Sequence, residues 1–151
     1  LLFENKLTIQ YQIQEMLRIE KIFEADAIQE ELDAYNPLIP NGKNLKATML
    51  IEYTNVQERR EKLKELKGVE RKIWIKLGAS APVFPIADED LEREDDTKTS
   101  AVHFLRWEFN DYQIKDFKSG DTVSMGVNHV EYDSSHIIHE SIRNELVKDF
   151  S

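Results

Sequence analysis

One carboxylate sits on a helix face that the hydrophobic pattern predicts to be buried. In the predicted helix from Thr8 to Phe23, Glu20 lies about 20° from Ile9 on the apolar stripe when each residue turns by 100°. A buried carboxylate without a partner costs several kcal/mol. We therefore expect Glu20 to be paired, protonated or bound to a metal ion.

Two histidines occupy similar positions on predicted strands. Alternation in "AVHFLRWEF" places His103 on the same face as Trp107, opposite Arg106. In "DTVSMGVNH", His129 shares its face with Val127. The pattern predicts that both histidines point towards apolar neighbours.

Two histidines and one carboxylate form a ligand set for Fe(II) that also suits Zn(II) and leaves positions open for water or substrate. Glu20, His103 and His129 are therefore candidate ligands for iron, manganese or zinc. The alternative is structural pairing of Glu20 with Arg106 or with a buried histidine. Arg106 can also hold an anionic group by charge-assisted hydrogen bonds, which makes Glu20 and Arg106 candidate ligand-binding residues.

Other patterns are weaker indications of chemistry. "HIIH", residues 136–139, has a spacing that suits a metal ion on a helical turn, but it falls at a predicted strand-to-helix junction, where surface histidines are common. The acidic run "DEDLERED", extended by Asp96, lacks the glycine and terminal glutamate of an EF-hand loop and is typical of a solvated loop. Common nucleotide-binding, serine-hydrolase and zinc-protease motifs are absent from the sequence.

Composition limits the classes of protein further. The chain has 151 residues, a net charge of −9 and no cysteine, which fits one domain without disulfides or thiolate chemistry. The negative charge disfavours nucleic-acid binding. No apolar run approaches the roughly 20 residues of a membrane span. We expect a soluble protein, and a cytoplasmic location is compatible with this composition.

The elements that position these residues are predicted to be helices mixed irregularly with strands, which indicates an α+β fold: a single domain with a mixed or antiparallel sheet packed with helices. The predicted strands cover residues 1–3, 46–53, 71–77, 82–87, 101–109 and 121–129. The predicted helices cover residues 8–23, 27–35, 55–66, 110–119 and 140–150, the last with Ile142, Leu146, Val147 and Phe150 on one face.

Several strings, "LLFEN", "QIQEMLRIEKIF", "IQEELDAYNPLIP", "NLKATMLIEY", "DEDLERE", "TSAVHFLRWEF" and "GVNHVEY", resemble the bacterial and archaeal uncharacterised domain family 3501. The resemblance covers nearly the whole chain, and the strings match in order with similar spacing. It implies a missing basic amino-terminal segment, because relatives are longer there. "GVNHVEY" departs from the "DHP" form of relatives, which leaves open any role that needs an acid at Asn128.

The resemblance implies no activity that can be carried over. Relatives are often encoded beside rubrerythrin-like di-iron proteins and iron–sulfur oxidoreductases that resemble heterodisulfide reductase subunits, which implies a redox or peroxide-stress setting and partners of these kinds. The leading hypothesis is an accessory protein of unknown function that binds a partner or small ligand through a pocket with Glu20, His103, Arg106 and His129. The alternatives are a non-haem metal-dependent oxidoreductase and a structural subunit whose buried polar residues specify its core.

Overall fold

The computed structural model describes residues 1–90, 92–93 and 95–151. The strands in these residues form two antiparallel sheets. The strands are β1 (Leu2–Glu4), β2 (Asn44–Leu50), β3 (Ile73–Leu77), β4 (Ile86–Ala87), β5 (Val102–Glu108), β6 (Val123–His129) and β7 (Tyr132–Ile137). The four-stranded sheet has the order β1-β2-β5-β4, and the three-stranded sheet has the order β3-β6-β7. The predicted α+β fold with an antiparallel sheet is confirmed.

Asparagine side chains set the start of three helices. Asn5, Asn55 and Asn110 each accept a hydrogen bond from the backbone N–H three residues later, which satisfies one of the free donors of a first turn. Gly120 ends one of these helices at a φ of 96°, a conformation that favours glycine. The helices are α1 (Lys6–Glu20), α2 (Ala25–Tyr35), α3 (Val56–Glu65), α4 (Asp111–Ser119) and α5 (Glu140–Leu146), with 3₁₀ turns at Asn36–Leu38, Val69–Arg71 and Val147–Asp149.

One hydrophobic core contains side chains from both sheets. Strands β2 and β5 pair in antiparallel register, so Leu45 lies opposite Trp107 and Met49 lies opposite His103 on the buried face. Ile73 and Val123 contribute from the second sheet, among other residues of β3 and β6. The Trp107 indole Nε1 donates to the Ile73 carbonyl at 3.0 Å, which joins the two sheets by a buried hydrogen bond.

The chain just before the acidic run also links the sheets. Val83 exchanges two backbone hydrogen bonds with Ile75 of β3, at 2.7 and 2.9 Å, and β4 then pairs with β5. Asp88 follows with a φ of 53° and donates its backbone N–H to the Phe104 carbonyl at 2.9 Å. This path brings the Asp88 side chain beside β5.

Three local expectations differ from the structure. The predicted strand at 82–87 is shorter, because only Ile86–Ala87 pairs with β5 beyond the single bridge at Val83. Strand β7 was not predicted. Ile142, in the first turn of α5, is 50% exposed whereas Leu146 and Phe150 are buried, so the predicted apolar face is not buried along its whole length. Among the described residues, no helix is long and apolar enough to cross a membrane.

Burial near the carboxyl end creates a small pH-dependent penalty. Burial raises the pKa of Asp149, and the nearby Glu145 carboxylate raises it further. A carboxyl whose folded-state pKa is raised destabilises the fold at pH values above its unfolded pKa, and this loss is relieved as the pH falls. We expect Asp149→Asn to raise the free energy of unfolding at pH 7 by up to about 0.5 kcal/mol.

Thermal unfolding between pH 3 and pH 7 measures this effect. The gain from Asp149→Asn should shrink as the pH falls towards the ordinary aspartate range of about 3.9. Asp133→Asn, at an exposed position in β7, is the control and should show no such trend. An Asp149→Asn gain that stays constant over the pH range would contradict the expected cause.

Candidate functional site

His103 is fully buried, as strand alternation predicts, and both of its ring nitrogens have polar partners. Its Nδ1 lies 2.5 Å from Asp88 Oδ2. Its Nε2 lies 2.8 Å from Thr99 Oγ1 and 3.1 Å from the Ser100 carbonyl oxygen. A carboxylate oxygen and a carbonyl oxygen both accept hydrogen bonds, so each ring nitrogen lies beside an acceptor.

A second buried carboxylate completes this network. Glu70 is 0% exposed and accepts a hydrogen bond from Thr99 Oγ1 at 3.1 Å. Its other oxygen accepts from the Arg71 guanidinium at 2.5 Å. We call Glu70, Asp88, Thr99 and His103 the buried network. It joins Asp88, the first residue of the acidic run, to Thr99, which follows the run, through one imidazole.

Arg93 lies at the Asp88 end of the buried network and also pairs with Asp90. Its Nε lies 3.4 Å from Asp88 Oδ1, and its guanidinium lies 4.5 Å from the centroid of the Phe104 ring. The backbone N–H of Phe104 donates to the same Asp88 oxygen at 3.0 Å. Each buried carboxylate of the network therefore has an arginine partner, which offsets the loss of water around the charge.

Asp88, His103 and Thr99 follow the order carboxylate, imidazole, hydroxyl of a nucleophilic triad, but the Thr99 hydroxyl donates to Glu70 and not to the imidazole. A triad needs a hydroxyl that substrate can reach. Thr99 is 1% exposed and His103 is 0% exposed, so the hydroxyl is closed off by protein. The geometry supports a structural role for the buried network.

The structure does not bring the three predicted metal ligands together. The expectation that Glu20 is buried is wrong: α1 ends at this residue, Lys21 turns to a φ of 54°, and Glu20 is exposed beside the equally exposed Ile19 and Phe23. Helix α1 buries only Ile9 and Ile13, so its apolar stripe is uncovered at this end. Among the described residues, no group of three or more His, Cys, Asp or Glu side chains is placed to hold a metal ion.

His129 is also not the core residue that alternation predicts. It is the last residue of β6 and is partly exposed. Its Nε2 lies 3.0 Å from the Lys67 carbonyl oxygen, and its Nδ1 accepts from the backbone N–H of Glu131 at 3.2 Å. The strand ends in a turn at this point, so the alternation no longer has a core to face.

The two weaker patterns are also accounted for by local contacts. His136 is exposed in β7, and the His139 side chain accepts from the Ser141 N–H and caps α5. In the acidic run, Leu91 and Glu94 lie outside the described residues. The run's described residue Asp95 accepts hydrogen bonds from Thr97, which lower the pKa of Asp95.

Arg106 lies on the opposite face of β5 from His103, so one pocket does not contain both. The guanidinium donates two hydrogen bonds of 2.8 Å to the Glu89 carboxylate and another to Glu108. It forms no pair with Glu20. The bidentate contact lowers the pKa of Glu89 and raises that of Arg106, which keeps both groups charged over the ordinary pH range.

A cavity of about 770 Å³ opens on this outer face of the four-stranded sheet. Residues of α1, α2 and the following 3₁₀ turn form one part of its wall, and residues of β1, β2, β5 and the start of the acidic run form the other. The lining includes Glu4, Met16, Glu31, Asp33, Ala34, Tyr35, Pro37, Leu38, Lys46, Glu89, Asp90, Phe104 and Arg106. We call this space the outer cavity.

Lys46 is a polar residue of the outer cavity that was not predicted from the sequence. It lies on β2 directly opposite Arg106, and its ammonium donates to the Pro37 carbonyl at 2.5 Å. Burial lowers the pKa of Lys46, and the Arg106 charge lowers it further, whereas Glu89 and Glu108 act in the other direction. The strings "NLKATML" and "AVHFLRWEF" alternate in the same way, so pairing of these two strands could have indicated that Lys46 lies beside Arg106 on the outer face.

Glu4 is the buried carboxylate at the edge of the same cavity. It is 3% exposed and accepts from the hydroxyls of Thr8 and Thr48 at 2.6 and 2.7 Å and from the Gln12 amide at 3.1 Å. These partners come from α1 and β2, so Glu4 connects the helix to the sheet. A three-residue strand carries too short a pattern to predict this from sequence.

The fold and this site define a single α+β domain with a half-enclosed cavity of ligand size. The chain belongs to the family described as "Protein of unknown function (DUF3501)", whose model matches residues 1–150. It is similar to a crystal structure of a novel protein of unknown function from Burkholderia pseudomallei K96243, with 49% identity and a TM-score of 0.92. That match covers 99% of this chain and 78% of the other. No curated protein matches the chain.

Proposed function

We propose that this protein binds a small organic molecule in the outer cavity. The observation that carries the proposal is the cavity itself, whose volume of about 770 Å³ lies within the roughly 300–1,000 Å³ of small-molecule sites. Such sites combine apolar walls with a few polar groups that orient the ligand. Met16, Leu38 and Phe104 supply apolar surface here, and Lys46 and Tyr35 supply polar groups.

The charged groups differ in how much bonding capacity they keep for a ligand. Arg106 is already held by Glu89 and Glu108. Lys46 forms no ion pair with a carboxylate in the described part of the chain, and a backbone carbonyl is its hydrogen-bond partner. An ammonium group can donate three hydrogen bonds, so Lys46 has donors left over. We therefore propose an occupant with an apolar body and one polar group that faces Lys46.

The proposal keeps the ligand-binding role that sequence analysis expected for Arg106, as a residue that lines the cavity. Glu20, His103 and His129 do not line it. The rubrerythrin-like and iron–sulfur partners, the redox setting and the cytoplasmic location rest on resemblance and composition alone. The metal-dependent alternative rests on residue types, and no described contact adds support to it.

Binding of the apolar aromatic sulfonate 1-anilinonaphthalene-8-sulfonate, measured by its fluorescence, tests the proposal. We expect saturable binding to the folded protein and a loss of affinity of at least about tenfold, or 1.4 kcal/mol, in Ala34→Trp. Ala34 lines the cavity from α2, so a tryptophan there fills space that the probe needs.

Ala25→Trp provides the matched control. Ala25 is an exposed alanine on the same helix, and it does not line the cavity. This variant should bind the probe as the unchanged protein does. If Ala34→Trp and Ala25→Trp bind equally well, the probe occupies another surface and the proposed site is wrong. Compounds that displace the probe then identify the natural class of ligand.

A further inference from the structure

Lys46 occupies an unusual electrostatic position on the sheet. Antiparallel register places it between Glu4 of β1 on one side and Arg106 of β5 on the other. The Glu4 carboxylate accepts hydrogen bonds from the side chains of Thr8, Thr48 and Gln12. Arg106 therefore lies directly opposite Lys46, and no carboxylate in the described part of the chain is bound to the Lys46 ammonium. Like charges directly opposite each other are unfavourable.

Three other lysines of the chain are each paired with a carboxylate. Lys43 pairs with Asp111, Lys62 with Glu65 and Lys148 with Glu145, at 2.6 to 3.0 Å. Pairing of this kind favours the charged ammonium, and Glu65 raises the pKa of Lys62 accordingly. Lys46 instead has a carbonyl oxygen, a partial loss of water and a neighbouring guanidinium.

Partial burial and the Arg106 charge favour the neutral amine of Lys46, which is the nucleophilic form, and they outweigh the opposite effect of the Glu89 and Glu108 charges on its pKa. Desolvation and an adjacent cation are the two means by which lysines are activated for attack on carbonyl carbons. The amine also lies at a cavity wall, where a small molecule can approach it. Tyr35, which lines the cavity from α2 on the wall opposite β2, carries a hydroxyl that can transfer protons.

We propose that Lys46 forms an imine with an aldehyde or ketone bound in the outer cavity. The inference rests on the proposed ligand-binding function and names its class of ligand. The amine nitrogen attacks the carbonyl carbon, a C–N bond forms, and the carbonyl oxygen takes up a proton. The resulting carbinolamine loses water as the nitrogen lone pair forms the C=N bond. One amine and one carbonyl compound thus give one imine and one water, with no oxidant or reductant.

Reductive trapping tests the inference. The protein is incubated with pyruvate or with butanal in the presence of sodium cyanoborohydride, which reduces the imine and not the free carbonyl compound, and labelled lysines are identified by peptide mass spectrometry. We expect Lys46 to be labelled at least about tenfold faster than Lys76, a difference of 1.4 kcal/mol. Lys76 is a matched comparison within the same molecule, because it too is a half-buried strand lysine but does not line the cavity.

Variants separate imine formation from simple charge attraction. Lys46→Arg keeps the positive charge and removes the primary amine, so it should bind 1-anilinonaphthalene-8-sulfonate but lose the dominant label. Lys76→Arg should leave the labelling of Lys46 unchanged. Arg106→Gln frees Glu89 to pair with Lys46 and should slow its labelling, which a purely structural role of Arg106 would not predict.

Each outcome decides between the two proposals. Equal labelling of Lys46 and Lys76 overturns the imine, and if the probe still binds in the outer cavity, the binding function stands without it. Excess probe should protect Lys46 and not Lys76; fast labelling of Lys46 that the probe does not reduce would overturn the link to the ligand site. The comparison of two lysines in the unchanged protein requires no variant to fold.

Discussion

Replacing His103 with alanine is expected to lower the free energy of unfolding by about 3 to 5 kcal/mol. The reason is the buried network: without the imidazole, Asp88 loses its partner at 2.5 Å and Thr99 loses its partner at 2.8 Å. The Asp88 carboxylate keeps its desolvation penalty with only Arg93 and the Phe104 N–H as partners, and the missing ring leaves a cavity in addition. Urea denaturation followed by tryptophan fluorescence measures the change.

The exposed histidine at position 136 provides the control. His136→Ala removes the same side chain from an exposed position in β7 and should change stability by no more than about 0.5 kcal/mol. If His103→Ala is too unstable to purify, Thr99→Val removes the hydroxyl between His103 and Glu70 at nearly constant volume and should destabilise by about 1 to 3 kcal/mol. A loss below about 1 kcal/mol in both variants would mean that the network does not hold the fold together.

Strand alternation and helical periodicity differ in how much of this structure they predict. Strand alternation placed His103 and Arg106 on the correct faces of β5, because pairing with β2 on one side and β4 on the other holds the strand to a period of two. The helical stripe misplaced Glu20, because α1 ends at this residue and its last residues are exposed. Periodicity shows which residues share a face, but it does not show how far along an element the face is covered.

The outer cavity and the role of Lys46 could not be predicted from the sequence for a related reason. Lys46 gains its character from Arg106 across the sheet and from the Pro37 carbonyl at the far side of the cavity. These contacts depend on strand order and on the position of α2, neither of which a single sequence fixes. The buried network likewise joins Glu70 to Asp88 through residues that are distant in the chain.

Replacing Glu4 is expected to have the second large effect on the free energy of unfolding. Comparing Glu4 with Glu20 also tests directly which of these two glutamates is buried. Glu4→Gln replaces an acceptor oxygen by an amide NH₂ that faces the hydroxyl and amide donors of Thr8, Thr48 and Gln12. Hydrogen bonds to a charged acceptor contribute about 1.5 to 3 kcal/mol each, and one is lost outright. We expect the free energy of unfolding to fall by about 1 to 3 kcal/mol in urea denaturation.

Glu20→Gln makes the same chemical change at the exposed end of α1 and should stay within about 0.5 kcal/mol of the unchanged protein. The comparison is sharp because the two glutamates begin and end the same segment of strand and helix, yet only Glu4 has donors around it. Since the Thr8 and Gln12 donors belong to α1 and the Thr48 donor belongs to β2, Glu4→Gln should also loosen the helix that forms one wall of the outer cavity. Hydrogen exchange along residues 6–20 should therefore rise in Glu4→Gln and remain unchanged in Glu20→Gln. Equal exchange in both variants would show that the cavity wall is held by the packing of Ile9 and Ile13 alone.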